Sequence, residues 1–243
     1  MPNRTIAVLA ACATLLFAAT IPPAPARAQD GATFASAHAG SLGAGLAAGY
    51  DISPSFTARA AVNYFSFGTD GSSAGNDYSV DLQLLSLGVL GDWHPFENGF
   101  RVTAGGLFNG NKMTLASSAE DIDLGDRTYS GEMEAELGFN AVVPYIGIGW
   151  TSGRAGGSGL AFFADAGVIL QGAPRISASG RVVESTGNAC SFGLSEGGRA
   201  TVAAGCGLQD LGADLESEHA DLEDQLSAFN LYPVVMLGVT YRF

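Results

Sequence analysis

The chain has 243 residues, of which 14% are charged, 34 are Gly and 14 are Phe. Low charge with many aromatics excludes a disordered chain, and glycine at this density excludes a helical bundle, since each costs about 1 kcal/mol per helical position. With 24 acids against 11 bases, of which Lys112 is the sole lysine, the net charge is −13, which argues against nucleic acid as a partner because phosphates need a basic face.

Residues 1–28 read as a cleavable secretory signal. Arg4 precedes an apolar run from Ile6 to Thr20, then come Pro22, Pro23 and Pro25, and Ala26-Arg27-Ala28 supplies an A-x-A site. Leu9-Ala10-Ala11-Cys12 also fits a lipoprotein box, but its apolar run is short and continues past Cys12. Removing Arg4 and Arg27 takes the net charge from −13 to −15. Mean hydropathy is +0.22, yet no later stretch is long and apolar enough for a transmembrane helix. Residues 29–243 read as one domain.

Period-2 alternation carries the rest of the reading. Leu42–Tyr50 sets Leu42, Leu46 and Tyr50 against glycines and one alanine. Phe56–Tyr64 sets Phe56, Val62 and Tyr64 against Thr57, Arg59 and Asn63. In Val80–Trp93 the phase slips near Leu84-Leu85, which predicts a β-bulge. Asp81 and Gln83 take the polar face before the slip; Ser86 and Gly88 take it after. Phe100–Phe108, Val142–Trp150 and Leu160–Leu170 alternate in the same manner, with Arg101, Gly147 and Asp165 on their small or polar faces. The last strand, from Leu231, places Val235, Leu237, Val239, Tyr241 and Phe243 against Met236, Gly238, Thr240 and Arg242.

A soluble sandwich and a membrane barrel share this alternation, but the barrel inverts it, with apolar residues toward lipid and polar ones in the lumen. In these strands the polar face carries single charges of both signs, Arg59, Arg101 and Arg242 against Asp81, Asp92 and Asp165, and neither Lys nor Glu. A solvated face would carry both in numbers. Balanced single charges suit a narrow lumen where buried charges pair, and closure satisfies every strand edge, as a bilayer demands. The expected fold is therefore all-β: an antiparallel up-and-down transmembrane barrel, with Arg59, Asp81, Arg101, Asp165, Gln171 and Arg242 as candidates for a polar lumen network.

Seven strands are clear, and Asp121–Glu136, with the hairpin-like Gly125-Asp126, is expected to supply an eighth; ten remains the alternative count. The link Asp51-Ile52-Ser53-Pro54-Ser55 looks like a periplasmic turn, although counting from Leu42 places it on the outside. A loop and helix insertion is expected at about 181–229. Within it Cys190 and Cys206 allow one disulfide across a Gly- and Ser-rich loop, or two free thiols. Leu208, Leu211, Leu215, Leu222, Leu226 and Phe229 then follow the 3–4 spacing of an amphipathic helix. Its polar face, with Asp210, Asp214, Glu216, Glu218, Asp221, Glu223 and Asp224, allows divalent-cation binding; the preferred reading is a solvated helix packing its Leu face over the barrel mouth.

The terminal Phe243, with Tyr241 two residues before it and Val239 two before that, resembles the C-terminal signature of Gram-negative outer-membrane barrels. Asp92-Trp93-His94-Pro95-Phe96 and Pro144-Tyr145-Ile146-Gly147 look like stretches recurring in uncharacterised members. The chain as a whole resembles the small outer-membrane β-barrel superfamily of the outer-membrane protein A transmembrane domain, opacity proteins and outer-membrane protein W. The resemblance implies export to the outer membrane of a Gram-negative bacterium, recognition by the barrel-assembly machinery, and contact with outer-membrane lipid and lipopolysaccharide as a monomer. Tyr50, Trp93, Phe96, Phe100, Trp150, Tyr232 and Tyr241 fall near strand ends, where membrane interfaces favour such rings.

Chemistry is sparse. The only histidines are His38, His94 and His219, and Ser217 with His219, two apart on a helix, do not face each other. No metal-ligand spacing or phosphate loop is present, so no cofactor, metal or catalytic residue is assigned. The expected function is a structural or interaction barrel; the alternatives are a narrow pore for small solutes and a lipid A-modifying enzyme.

Overall fold

The computed structural model describes residues 32–73, 76–124, 127–152, 158–184, 189–203 and 211–243. The signal segment and Cys206 lie outside the described residues. In chain order the strands are β1 (Thr33–Gly40), β2 (Gly43–Ser53), β3 (Phe56–Ser73), β4 (Asn76–Trp93), β5 (Phe100–Asn109), β6 (Lys112–Leu124) and β7 (Arg127–Gly138). They continue as β8 (Val142–Thr151), β9 (Gly159–Leu170), β10 (Arg175–Glu184), β11 (Ala189–Leu194) and β12 (Ala200–Val202). A helix α1 (Leu211–Leu226) and a 3-10 turn (Ser227–Asn230) precede β13 (Leu231–Arg242).

Eight of these close a ring in the order β1-β2-β3-β4-β5-β8-β9-β13, every neighbour antiparallel. Closure is made by β1 on β13, from Phe34 opposite Arg242 to Gly40 opposite Met236. Closure leaves the barrel without a free edge, the condition for spanning lipid. Burial alternates along the barrel strands in the inverted sense. In β8, Val142, Ile146, Ile148 and Trp150 are exposed outward, while Val143, Tyr145 and Thr151 are buried inward. In β9, Phe162 is 64% exposed while its neighbour Phe163 is 6% exposed. A soluble core would give the reverse.

The count of eight holds, but with different members. Thr33–Gly40 is a barrel strand that the alternation reading missed, and it turns the chain over so that Asp51–Ser55 lies at the same end as both ends of the barrel. Asp121–Glu136 falls in β6 and β7, which stand outside the ring. The physical reason is visible in β7: Glu132, Glu134 and Glu136 alternate on one face, and three carboxylates there could not face lipid.

β3 and β4 each have 18 residues, about twice the 9–11 that a tilted strand needs to cross a bilayer. Their surplus projects from the end opposite the termini. There the sheet continues from β4 through β6, β7, β10 and β11 to β12. The face of this external sheet that continues the lumen is apolar, and Leu215 of α1 packs on it with Val182, Cys190, Phe192 and Leu194. The helix therefore lies mainly on β12, β6, β10 and β11 rather than over the barrel mouth, because this sheet face is the larger apolar surface beside it.

The expected bulge at Leu84-Leu85 is absent. β3 and β4 pair in unbroken register from Phe56 opposite Trp93 to Ser73 opposite Asn76. What changes is the partner on the other side, β5 up to Ser86 opposite Asn109 and β6 from Gln83 opposite Lys112. At the junction the Leu85 N–H donates to Asn111 Oδ1 at 2.9 Å. Below it the outward residues Leu87 and Val89 are apolar; above it the outward residues Gln83 and Asp81 are polar. The phase reversal marks where the strand leaves an apolar surround.

Candidate functional site: the barrel lumen

The lumen is filled in layers. At the terminal end Arg242 pairs with Asp51 and lies over the Phe34 ring at 5.5 Å. The Thr57 hydroxyl donates to Asp51 at 2.6 Å. His94 Nδ1 donates to the Phe100 carbonyl at 3.0 Å, tying the β4–β5 turn to the barrel base.

The second layer is a cluster of two arginines and two aspartates, drawn from β3, β4, β5 and β9. Arg59 donates to Asp165 Oδ2 at 3.0 Å and to Asp92 Oδ1 at 3.2 Å. Arg101 donates to Asp165 Oδ1 at 2.5 Å and to the Thr151 hydroxyl, and it stacks over Phe163 at 5.5 Å. Thr103 adds a hydrogen bond to Asp92 Oδ1 at 2.6 Å. All four charged side chains are buried. The cluster is formally neutral, so mutual attraction offsets desolvation. Small residues make room for it: a Cβ on Gly149 would overlap Asp165 Oδ1, and one on Gly167 would meet the Tyr145 hydroxyl at 2.5 Å.

Above it, His38 Nε2 donates to Asn63 Oδ1 at 2.7 Å and Asn63 Nδ2 to Ser86 Oγ at 2.9 Å. Beside both groups, on the side of the charged cluster away from the termini, Leu42, Leu90, Leu107, Val143, Tyr145, Ile169, Val234 and Met236 form one buried apolar cluster. The cavities bordering the charged cluster measure about 20 and 30 Å³, room for one or two waters each.

Of the candidate network residues, Arg59, Arg101 and Asp165 meet directly. Arg242 forms a separate pair nearer the terminal end. Gln171 lies buried past the end of β9, donating to the Phe229 carbonyl at 3.2 Å. Asp81 is not in the lumen: it sits on the outward face of the external sheet, because the pattern reverses at Leu84. Asp92, one of the strand acids, takes the fourth corner of the cluster, and Asp51, read only as part of a turn, partners Arg242. The signal for Asp92 was present, since it lies an even number of residues from Ser86 on the inward face; Asp51 likewise continues the inward phase of Gly45, Ala47 and Gly49, one residue past Tyr50, where the alternation reading ends the strand.

Cys190 is buried in β11, and its expected partner Cys206 lies outside the described residues. His219 is buried on α1 beside Gly198. Among the described residues no group of three or more His, Cys, Asp or Glu side chains is arranged to hold a metal, and no helix is long and apolar enough to cross a membrane.

No sequence-family description and no curated protein sequence matches the chain. Solved structures do. Acinetobacter baumannii CarO2 superposes with a TM-score of 0.52 at 18% identity over 87% of this chain and 98% of its own. Acinetobacter baumannii CarO gives 0.51 at 16% identity over 86% and 97%. The likeness is one of fold.

Proposed function

We propose that the chain is an outer-membrane β-barrel with a closed lumen, serving to anchor and present the external sheet rather than to conduct solutes or catalyse a reaction. The observation that carries this reading is the filled lumen, in which the Arg59–Asp92–Arg101–Asp165 cluster is backed by a buried apolar cluster around Leu90, Tyr145 and Met236. A solute would have to separate buried ion pairs and then cross hydrocarbon. The exposed apolar belt favours lipid outside.

In this reading residues 1–28 direct export and are removed. The end with both termini is periplasmic, which places the Pro54-Ser55 turn there and the external sheet outside the cell. The outward row Val239, Tyr241 and Phe243 on β13 serves recognition by the barrel-assembly machinery. The protein works as a monomer among outer-membrane lipid and lipopolysaccharide, and a Cys190–Cys206 disulfide staples the external loop. The three histidines serve packing: His38 and His94 are hydrogen-bonded in the barrel, and His219 is buried under the external sheet. Planar-bilayer conductance tests the reading, with a steady ohmic channel as the result that would favour the narrow pore instead. Lipid A mass spectra unchanged by expression of the protein are expected; a new modified species would establish the enzyme.

A further inference from the structure

The outward face of the external sheet carries a trough that a closed barrel does not require. It crosses β3, β4, β6, β7 and β10 at one height as an open groove with a volume of about 790 Å³. Strand registers align its walls into two rows. One row is Asp70, Ser79, Ala116, Glu134 and Ser179; the other is Ser72, Asp77, Ser118, Glu132 and Arg181. The residue between each wall pair, including Gly71 and Gly180, turns to the other face and leaves backbone as the floor. From the interstrand spacing the trough is about 19 Å long.

The geometry points to a binding site for a linear, uncharged oligosaccharide. Hydroxyls and carboxylates alternate along the walls, except at Ala116 in one row and at Arg181, which ends the other. Serine hydroxyls donate and accept while carboxylates only accept, and O–H donors form short, strong bonds to ionised oxygens. Sugar hydroxyls offer that mixture at intervals along a chain. Four acids against Arg181 leave the trough three charges negative, which disfavours phosphate-bearing ligands. The floor's backbone groups are committed to the sheet ladder, so a peptide strand finds no partners there; the acidic walls would attract a cationic chain, and oligolysine tests that competing ligand. The trough also lies outward and beyond the apolar belt, where an outer-membrane barrel borders lipopolysaccharide sugars; for this orientation alone the inference rests on the proposed function.

The test is titration calorimetry on the purified, folded barrel in detergent, which does not depend on conductance. The probes are maltoheptaose, the neutral outer polysaccharide released from the producing cells' lipopolysaccharide and freed of its acidic, phosphorylated core, and oligolysine. At least one saccharide is expected to bind, and Ala116→Trp, which fills the trough midway, should weaken it at least tenfold with unchanged heat-modifiable migration. The isosteric pair Asp77→Asn with Glu134→Gln should weaken it several-fold and serves if Ala116→Trp does not assemble. Binding of the released polysaccharide alone identifies the cell's own surface as the source; binding of maltoheptaose identifies soluble glucans. The proposal is overturned if neither saccharide binds, if oligolysine binds in their place, or if the assembled variants bind as tightly as the unaltered protein.

Discussion

Gly149 stands directly opposite Asp165 in the β8–β9 register, and the Asp165 carboxylate occupies the space that a side chain at 149 would fill. Asp165 in turn bridges Arg59 and Arg101. One glycine thereby permits the ion cluster that closes the lumen.

Gly149→Ala should displace the carboxylate and cost about 1–3 kcal/mol, the usual range for overpacking. The readout is the temperature at which the folded band converts to the unfolded one on gels. Gly106→Ala is the control, since a Cβ there meets nothing within 4 Å, and it should migrate like the unaltered protein.

Asp165→Asn should destabilise the barrel by about 3–5 kcal/mol, because it leaves two buried arginines facing one carboxylate. Adding Arg101→Met should recover part of that loss by restoring one charge of each sign. Urea unfolding in detergent micelles measures both, and a double variant less stable than Asp165→Asn alone would contradict the coupling.

Phe162 and Phe163 are adjacent and face opposite ways. Phe162→Arg should cost about 2–4 kcal/mol if position 162 lies near the bilayer midplane. Cysteines at the two positions should separate cleanly in intact membranes, with a lipid-soluble maleimide labelling 162 and sparing 163. Equal labelling would contradict the inverted facing.

The reversal at Leu84-Leu85 fixes the upper limit of the apolar belt. Tryptophan fluorescence from Leu87→Trp should be quenched by bromine-labelled acyl chains, whereas that from Asp81→Trp should not. Quenching at both positions would place the extended hairpin of β3 and β4 within the bilayer.

Most of the barrel was legible because a barrel with an apolar outside and a polar lumen has strong contrast between its faces: Phe162 against Asp165, or Val62 against Arg59, separates them. β1 escaped because its outward residues, Ala35, Ala37 and Ala39, are small, so the apolar face barely differs from the polar one. The external sheet was misread for a related reason. Its strands alternate too, but Glu132, Glu134 and Glu136 belong to a surface in water, and two-faced alternation alone does not say which face meets which medium. Three of the four members of the charge cluster, Arg59, Arg101 and Asp165, were readable from phase. That Asp92, not Asp81, completes it depends on where β4 leaves the barrel, a property of three-dimensional pairing.

The most direct test of a closed lumen is single-channel recording of the purified protein in planar bilayers, beside Asp165→Ala combined with Met236→Ala. Steady conductance should be absent from the unaltered protein, with brief openings at most in the double variant, which removes an ion-pair bridge and part of the apolar layer. A stable, ohmic channel from the unaltered protein would contradict the account.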